Sequence, residues 1–352
     1  MRATIPLAPA AALLVGLLFA EPIDGQTLRG RLVEGGSREP IAGAFVLLYP
    51  AEGDASPETP PLAADLTASD GRFALAAPRP GRYRVRVDRI GYRSHLTDPI
   101  EVGAGATAVT TIDVPLEPVE LPAIVAEVES ECEVDPRDSD ILAHAWEEAR
   151  KALATAVWAR QHGVFRFTAR TYERVESPAG VTLEERTQLT AGLGNESPYV
   201  SLPIEDLVAK GYVRENRDTL YFYAPDAEGL LSDAFLDEHC FHLVPGARVE
   251  QPGWIGLAFE PVKGRRRSDI EGVIWIDRDA SELRRLDFRY TRLPGILTGY
   301  DPGGRIEFER VAAGAWIVRR WWIRAPSVEA EPRRARGRLI GYVVSGGEVT
   351  IE

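Results

Sequence analysis

In LRGRLVEGGSREPIAGAFVLLYP (residues 28–50) and TASDGRFALAAPRPGRYRVRVDRIGYRSHLTDPIEV (residues 67–102), short apolar runs alternate with Gly, Pro and Asp turns. The segment GRYRVRVD (residues 81–88) has a period of two, which predicts a strand with one apolar and one charged face. SDG at residues 69–71 is a turn signal, because Gly tolerates positive φ and Asp hydrogen-bonds its own backbone. Several short strands at this spacing predict an antiparallel β-sandwich with Greek-key connections.

These stretches resemble the carboxypeptidase regulatory-like domain, a transthyretin-like β-sandwich. The resemblance covers residues 26–117 and implies a non-catalytic domain, because the family's regulatory domain has no catalytic residue of its own. The family domain accompanies metallocarboxypeptidases and also occurs in exported proteins and outer-membrane receptors. Five short elements carry the resemblance together: Gly30-Arg31-Leu32-Val33, Pro40-Ile41-Ala42-Gly43-Ala44, Asp70-Gly71-Arg72-Phe73, Pro80-Gly81-Arg82-Tyr83 and Ile90-Gly91-Tyr92.

The N-terminus predicts export from a bacterial cell. Met1-Arg2 gives a short positive start, and APAAALLVGLLFA (residues 8–20) has the length of the apolar region of a signal peptide. A helix that spans a bilayer needs about 20 apolar residues. We therefore predict a Sec-type signal peptide over residues 1–20, cleaved after Ala20 or near Gly25; the alternative is a buried N-terminal helix. The mature protein is expected to be periplasmic or secreted, with outer-membrane association left open.

Charge and hydropathy narrow the classes of partner. The formal net charge of −12 disfavours a nucleic-acid partner, since phosphates require a basic face. No later segment is apolar enough to span a membrane as a helix, so the chain is not expected to be an integral membrane protein. The partner is expected to be an envelope protein or an apolar ligand that the sequence does not identify.

The two cysteines, Cys132 and Cys240, predict one disulfide in an oxidising compartment. The alternative is two independent buried thiols. A bridge between them would join the segment that leaves the first domain to the body of the second.

A second domain follows a linker over residues 118–137 and occupies residues 138–352. DSDILAHAWEEARKALATAVWARQHG (residues 138–163) has helical spacing of apolar residues and predicts one long helix that ends at Gly163. The strand-like segments from residue 256 onward have local turns and predict an antiparallel meander. The fold class is therefore mainly β with two domains: the sandwich, then an α+β domain with a curved antiparallel sheet and one long helix.

The run LAFEPVKGRRRSDIEGVIWIDRDASELRRLDFRY (residues 257–290) resembles lipoprotein-carrier-type half-barrels, in which a curved sheet wraps a helix. This resemblance rests on strand order and on one hairpin, and not on a functional motif. It implies a candidate apolar ligand cavity lined by aromatic residues on successive strands. The alternative is an ordinary core under the long helix. The candidate cavity residues are Trp275, Phe288, Tyr290, Phe308, Trp316, Trp321 and Trp322.

Motifs for catalysis are weak in this chain. His144 and Glu147 have the His-x-x-Glu spacing of a zinc carboxypeptidase, with His239 or His242 as a further ligand. The pair lies in a strong helical pattern without a catalytic domain around it, so we predict no metal, no cofactor and no catalytic residue. Glu184 and Glu185 lie in an alternating strand, which places them on opposite faces and excludes an acid/base couple.

The sequence as a whole predicts a non-enzymatic, exported protein of the bacterial cell envelope with a binding or scaffolding role. The alternative is a periplasmic carrier or chaperone of an apolar, lipid-like ligand held in a C-terminal half-barrel. A zinc-dependent peptidase is the third hypothesis. A ligand-sized apolar cavity would favour the carrier, and convergence of His144, Glu147 and one further histidine would favour the peptidase.

Overall fold

The computed structural model describes most of the chain from residue 26 to the C-terminus. Residues 1–20 of the predicted signal peptide, Cys132 and most of the predicted linker lie outside the described residues. None of the helices within the described residues is long and apolar enough to cross a membrane. The described ranges are residues 26–57, 59–121, 140–196, 199–217, 219–249, 251–312, 314–331 and 336–352.

A two-layered β-sandwich occupies the N-terminal part, as the sequence predicts. One sheet has the order β4-β1-β8, and the other has the order β3-β2-β5-β6, with β7 also pairing with β5. All of these pairs are antiparallel except β1 with β8, which run parallel. The strands are β1 (Gln26–Glu34), β2 (Phe45–Pro50), β3 (Ala63–Leu66), β4 (Arg72–Ala77), β5 (Gly81–Asp88), β6 (His95–Leu96), β7 (Ile100–Val102) and β8 (Thr107–Val114).

The apolar pattern of the sandwich strands matches their burial. In β4 exposed and buried residues alternate strictly, because one face of this strand covers the core and the other meets solvent. In β2 both faces are buried. One face of β2 joins the sandwich core, and the other places Phe45, Leu47 and Tyr49 against Trp158 of the long helix.

The C-terminal part is built on a nine-stranded sheet within the described residues, in the order β10-β9-β19-β18-β17-β16-β15-β14-β13. Every neighbouring pair in this sheet is antiparallel, and β13 to β19 follow one another as the predicted meander. The strands are β9 (Arg166–Glu176), β10 (Thr182–Leu193), β11 (Val213–Asn216), β12 (Thr219–Phe222), β13 (His239–Pro245), β14 (Trp254–Pro261), β15 (Asp269–Asp277), β16 (Glu282–Thr291), β17 (Gly303–Arg310), β18 (Trp316–Glu329) and β19 (Arg338–Ile351).

The long helix α1 (Asp140–His162) packs across one face of this sheet, which we call the inner face. Its alanines Ala145, Ala149 and Ala152 are fully buried in the same core as sheet residues, because small side chains let the helix approach the strands closely. The helix ends at the predicted Gly163, which adopts a positive φ of 59°. Three short helices complete the domain: α2 (Ile204–Lys210), α3 (Ala227–Leu231) and α4 (Asp233–Leu236).

A buried network of ion pairs joins α1 to the N-terminal sandwich. Asp88 of β5 accepts hydrogen bonds from Arg86 Nε at 2.8 Å and from Arg150 Nη2 at 2.8 Å. Arg86 and Arg150 also both bind Glu147. Burial alone would raise the pKa of Asp88, but the guanidinium groups of Arg150 and Arg86 outweigh burial and hold that pKa below its usual range. The charges are therefore paired across the interface, as buried charges must be.

A second part of the interface binds the loop after β5. Lys151 Nζ donates to the carbonyl oxygen of Tyr92 at 2.6 Å and to Glu148 Oε1 at 2.7 Å, and Gly91 N donates to Glu148 Oε2 at 2.7 Å. Burial raises the pKa of Glu148, and the Lys151 ammonium opposes that rise. These contacts explain how two long, charged side chains on α1 remain buried.

Two glycines mark the closest approach of the sandwich to the large sheet. A Cβ on Gly314 would lie 2.3 Å from the Cα of Gly43, which is shorter than any tolerated contact. Both glycines also have positive φ, so a side chain at either position would be strained. The contact fixes the loop after β17 against the segment before β2.

Candidate ligand-binding cleft

The structure separates the seven aromatic residues predicted to line a cavity. Phe288, Tyr290, Phe308, Trp316 and Trp321 are buried in one core on the inner face with residues of α1. Register shows that Trp321 pairs with Ile306, whereas its neighbour Trp322 pairs with Arg305 on the other face, which we call the outer face. Trp275 also lies on the outer face, against Val244 and Ala258. The seven residues therefore do not line one common surface.

An open cleft of about 260 Å³ lies on the inner face beside this core. Its lining residues are uncharged, and four of the ten are aromatic: Tyr199, Phe222, Tyr223 and Trp321. The rings of Tyr199 and Trp321 are 5.2 Å apart. Trp321 is the one predicted cavity residue that lines this cleft.

Hydrogen bonds hold the segment before α2 over the core. Tyr199 Oη donates to the carbonyl oxygen of Pro225 at 2.7 Å, and Ser201 Oγ donates to the carbonyl oxygen of Ala224 at 2.5 Å. Ser201 N also donates to Asp226, whose side chain caps α3. The wall that carries Tyr199 is therefore anchored by polar contacts at its back, while its apolar side faces the cleft.

Three tyrosines in and beside the cleft have raised pKa values, which keeps this region uncharged. Burial, reinforced by the Asp226 carboxylate, raises the pKa of Tyr199 well above its ordinary value. Burial, reinforced by Tyr212, also raises the pKa of Tyr290 well above its ordinary value. Burial also raises the pKa of Tyr212. All three phenols therefore stay protonated at neutral pH, and an uncharged ligand suits this environment better than an ion.

A second cleft, of about 530 Å³, lies on the other side of the same wall. It shares Val200, Ser201 and Leu202 with the first cleft and extends to Val157 at the C-terminal end of α1. The ion pair between Arg160 and Glu228, 2.7 Å long, lies at its border. The wall is thus accessible from two sides.

The candidate zinc ligands do not converge. Glu147 binds Arg86 and Arg150 in the interface network, while His144 on α1 is exposed. His239 is buried against Phe235 and pairs with Pro261, whereas His242 pairs with Ala258 on the outer face. In the part of the chain that the structure describes, no group of three His, Cys, Asp or Glu side chains has a geometry for a metal ion.

Two other sequence predictions concern single strands. The strand alternation of β10 is confirmed: Glu185 pairs with Arg174, and its neighbour Glu184 pairs with Val175 on the opposite face. Cys240 is buried on β13. Because Cys132 lies outside the described residues, the Cys132–Cys240 bridge stays a prediction.

Sequence reasoning missed Tyr199, Phe222 and Tyr223 as wall residues. The aromatic run YFY at residues 221–223 was a sequence signal for part of this wall. Alternate residues of a strand point to opposite faces, so one face of β12 was bound to carry an aromatic ring. Phe222 packs against the core, while Tyr221 is exposed. Tyr199 follows no periodic pattern and lies outside any helix or strand, so no local signal marks it.

Comparison with solved structures finds only distant likenesses. A DUF1329 family protein from Desulfovibrio piger aligns at 13% identity over 58% of this chain and 91% of its own, with a TM-score of 0.23. A DUF3823 family protein from Bacteroides uniformis aligns at 13% identity over 69% of this chain and 94% of its own, with a TM-score of 0.20. At such low TM-scores these likenesses carry no argument.

Part of one dioxygenase structure also aligns with this chain. The 3-chlorocatechol 1,2-dioxygenase from Rhodococcus opacus aligns at 23% identity over 22% of this chain, with a TM-score of 0.16. The alignment spans only 44% of the dioxygenase. No curated protein matches the chain.

Residues 27–117, which form the N-terminal sandwich, match the family model described as the carboxypeptidase regulatory-like domain, in agreement with the resemblance seen in the sequence.

Proposed function

We propose that this chain is a non-catalytic binding protein of the bacterial cell envelope, and that its ligand binds in the aromatic cleft beside Trp321. The observation that carries the proposal is the open, uncharged wall formed by Tyr199, Phe222, Trp321 and Ile323. Half-buried aromatic side chains in a concave surface, here Tyr199 and Phe222, bury their remaining apolar area when a ligand enters. An export signal over residues 1–20 and a periplasmic or secreted location belong to the same proposal.

The match of residues 27–117 supports a role without catalysis, because the regulatory-like domain implies binding or scaffolding. The interface network supports scaffolding as well. Since Asp88 and Glu148 are almost fully buried between the sandwich and α1, the sandwich is fixed in place relative to the cleft. The cleft then serves as the ligand-binding element, and the sandwich as its rigid support.

An apolar, lipid-like ligand that extends from the first cleft is the alternative form of the same proposal. Ligand pockets commonly have volumes of about 300–1,000 Å³. The cleft beside Trp321, at about 260 Å³, lies just below that range, which restricts it to a ring system or a short chain. A longer acyl chain would reach the cleft of about 530 Å³ only along Val200 and Leu202, because charged residues line the rest of that cleft: Arg160, Glu205, Asp226 and Glu228. A carrier would accordingly prefer long chains to short ones.

Titration with an apolar fluorescent probe, N-phenyl-1-naphthylamine, tests the proposal. The chain offers a matched control, because Trp321 lines the cleft whereas Trp322, its neighbour on β18, lies on the outer face. We expect Trp321→Ala to weaken probe binding roughly 10-fold, as loss of a buried aromatic anchor does. Trp322→Ala is expected to leave the probe affinity unchanged.

Equal binding by both variants would contradict the location of the site, and absence of probe binding by the unmodified chain would contradict the proposal itself. Because Trp321 is also part of the core, Val200→Glu provides a second test on an exposed residue of the wall. This charge is expected to reduce probe binding while circular dichroism remains unchanged. Competition by fatty acids of increasing length then separates the carrier from a binder of small aromatic ligands.

A further inference from the structure

Strand β10 leaves one edge of the nine-stranded sheet open. It pairs with β9 on one side, and no other described strand pairs with its second side. Every residue from Thr182 to Leu193 except Gly192 is exposed. The opposite edge strand, β13, is mostly buried. The two edges of the same sheet therefore differ, and β10 presents an edge without a partner strand, at the end of which Leu193 N donates to Glu196 Oε2 of the same chain.

This edge has few of the features that usually prevent strand pairing. Monomeric proteins protect edge strands with charged side chains, Pro, bulges or short length. The charged residues of β10, Glu184 to Arg186, lie in its first half. Strand β10 has 12 residues and neither Lys nor Pro, and its one bulge lies at its start, between Thr182 and Glu184. Leu183 and Leu189 are 66% and 71% exposed. Exposed leucines on a long edge strand whose second half has neither a charge nor a bulge are the features from which we argue that this surface is covered.

We infer that β10 pairs antiparallel with β10 of a second copy of this chain, so that two sheets become one continuous sheet across a two-fold axis. The sequence of β10 is complementary to itself in the register that places Gln188 on the axis. In that register Thr187 lies opposite Leu189 of the other copy, and the same pair recurs on the other side of the axis. A two-fold axis produces this reciprocal pairing of one patch with itself.

Charge also favours a second copy in this register. Arg186 would lie opposite Thr190, and Glu185 opposite Ala191, so no charged residue meets a like charge. Glu185 already binds Arg170 and Arg174 of β9 within its own chain. Its charge is therefore compensated without a partner, and the pairing does not require an oppositely charged peptide.

The residue on the axis provides a sharp test, because Gln188 would face its own copy at the Cβ–Cβ separation of a cross-strand pair, about 4.5–5.5 Å. Like charges there are destabilising, and opposite charges are favourable. The full mature chain is expected to sediment as a dimer, while Gln188→Glu and Gln188→Lys each sediment as monomers. An equimolar mixture of the two variants is expected to restore the dimer.

The matched control is Val109→Glu, a charge at an exposed position of strand β8 in the N-terminal sandwich, which is expected to leave the dimer intact. A chain that sediments as a monomer over the accessible concentration range would overturn the inference. Dimers that persist in both Gln188 variants, or a mixture that stays monomeric, would overturn it as well. Because Gln188 is exposed, folding of each variant can be verified by circular dichroism.

Discussion

At the scale of single residues, two tyrosines beside the cleft, Tyr199 and Tyr290, differ in one hydrogen bond. Tyr199 Oη donates to the Pro225 carbonyl oxygen, whereas the hydroxyl of Tyr290 has no hydrogen-bond partner among the described residues. The two rings belong to the same aromatic cluster, in which Phe222 contacts Tyr290 and Trp321 contacts Tyr199. A buried hydroxyl without a partner destabilises the fold, while a paired one contributes modestly.

Removal of the two hydroxyl groups should therefore have opposite effects on stability. Tyr199→Phe is expected to lower the free energy of unfolding by about 0.5–1.5 kcal/mol, because the bond to Pro225 is lost. Tyr290→Phe is expected to leave that free energy unchanged or to raise it by up to about 1–3 kcal/mol. Urea unfolding of both variants measures the difference. A large loss of stability in Tyr290→Phe would show that its hydroxyl has a partner.

At the scale of elements, α1 is the helix that holds the molecule together. One side of it covers the large sheet, and the other carries Glu147, Glu148, Arg150 and Lys151 into the first sandwich. The sequence predicted the first side, because helical spacing of Ala and Leu marks a buried face. It did not predict the second side, since a charged run on a helix usually faces solvent. Burial of those charges depends on partners some 60 residues away, such as Asp88.

Loss of one cation from this network should destabilise the chain strongly. Arg150→Met leaves Asp88 and Glu147 with one guanidinium between them, and removal of one member of a buried ion pair costs about 3–5 kcal/mol. The control is Arg170→Met, because Arg170 makes an exposed ion pair with Glu185 worth about 0–1 kcal/mol. Urea unfolding at neutral pH should separate the two variants clearly, and equal effects would contradict the role of the network.

The same variant should change the dependence of stability on pH. Asp88 has a lowered pKa in the folded state, so its contribution is complete above the unfolded pKa of about 3.9. That contribution is lost as the pH falls toward the folded pKa. The stability gap between the unmodified chain and Arg150→Met should therefore narrow below about pH 4.

The position of β10 at the edge of the large sheet could not be predicted from the sequence. The alternation in β10 was visible in the sequence and placed Glu184 and Glu185 on opposite faces. The position of β10 at an edge of the sheet was not visible, because it depends on β9 pairing with β19, more than 150 residues later. Strand order is a property of long-range pairing, and local periodicity does not contain it.

At the scale of the whole molecule, the fold class predicted from the sequence is confirmed: a β-sandwich followed by an antiparallel sheet with one long helix. The sandwich was predictable because turns and strands alternate over short distances, and a family model matches the same residues. The cavity was harder to predict, because alternation alone did not show which face of each strand meets α1. A bulge in β18, where Arg319 has no partner opposite Glu307 and Phe308 of β17, shifts the register between Trp316 and Trp321.

The central claim is that an exported chain carries a ligand beside Trp321. Native mass spectrometry of the full chain, expressed with its own N-terminus and recovered without reduction, tests this most directly. We predict a mass that corresponds to cleavage after Ala20 or near Gly25, with a non-covalent organic ligand that denaturation releases. The ligand should remain in Trp322→Ala and be lost from Trp321→Ala. An uncleaved chain, or the same ligand-free mass for the unmodified protein and both variants, would contradict the account.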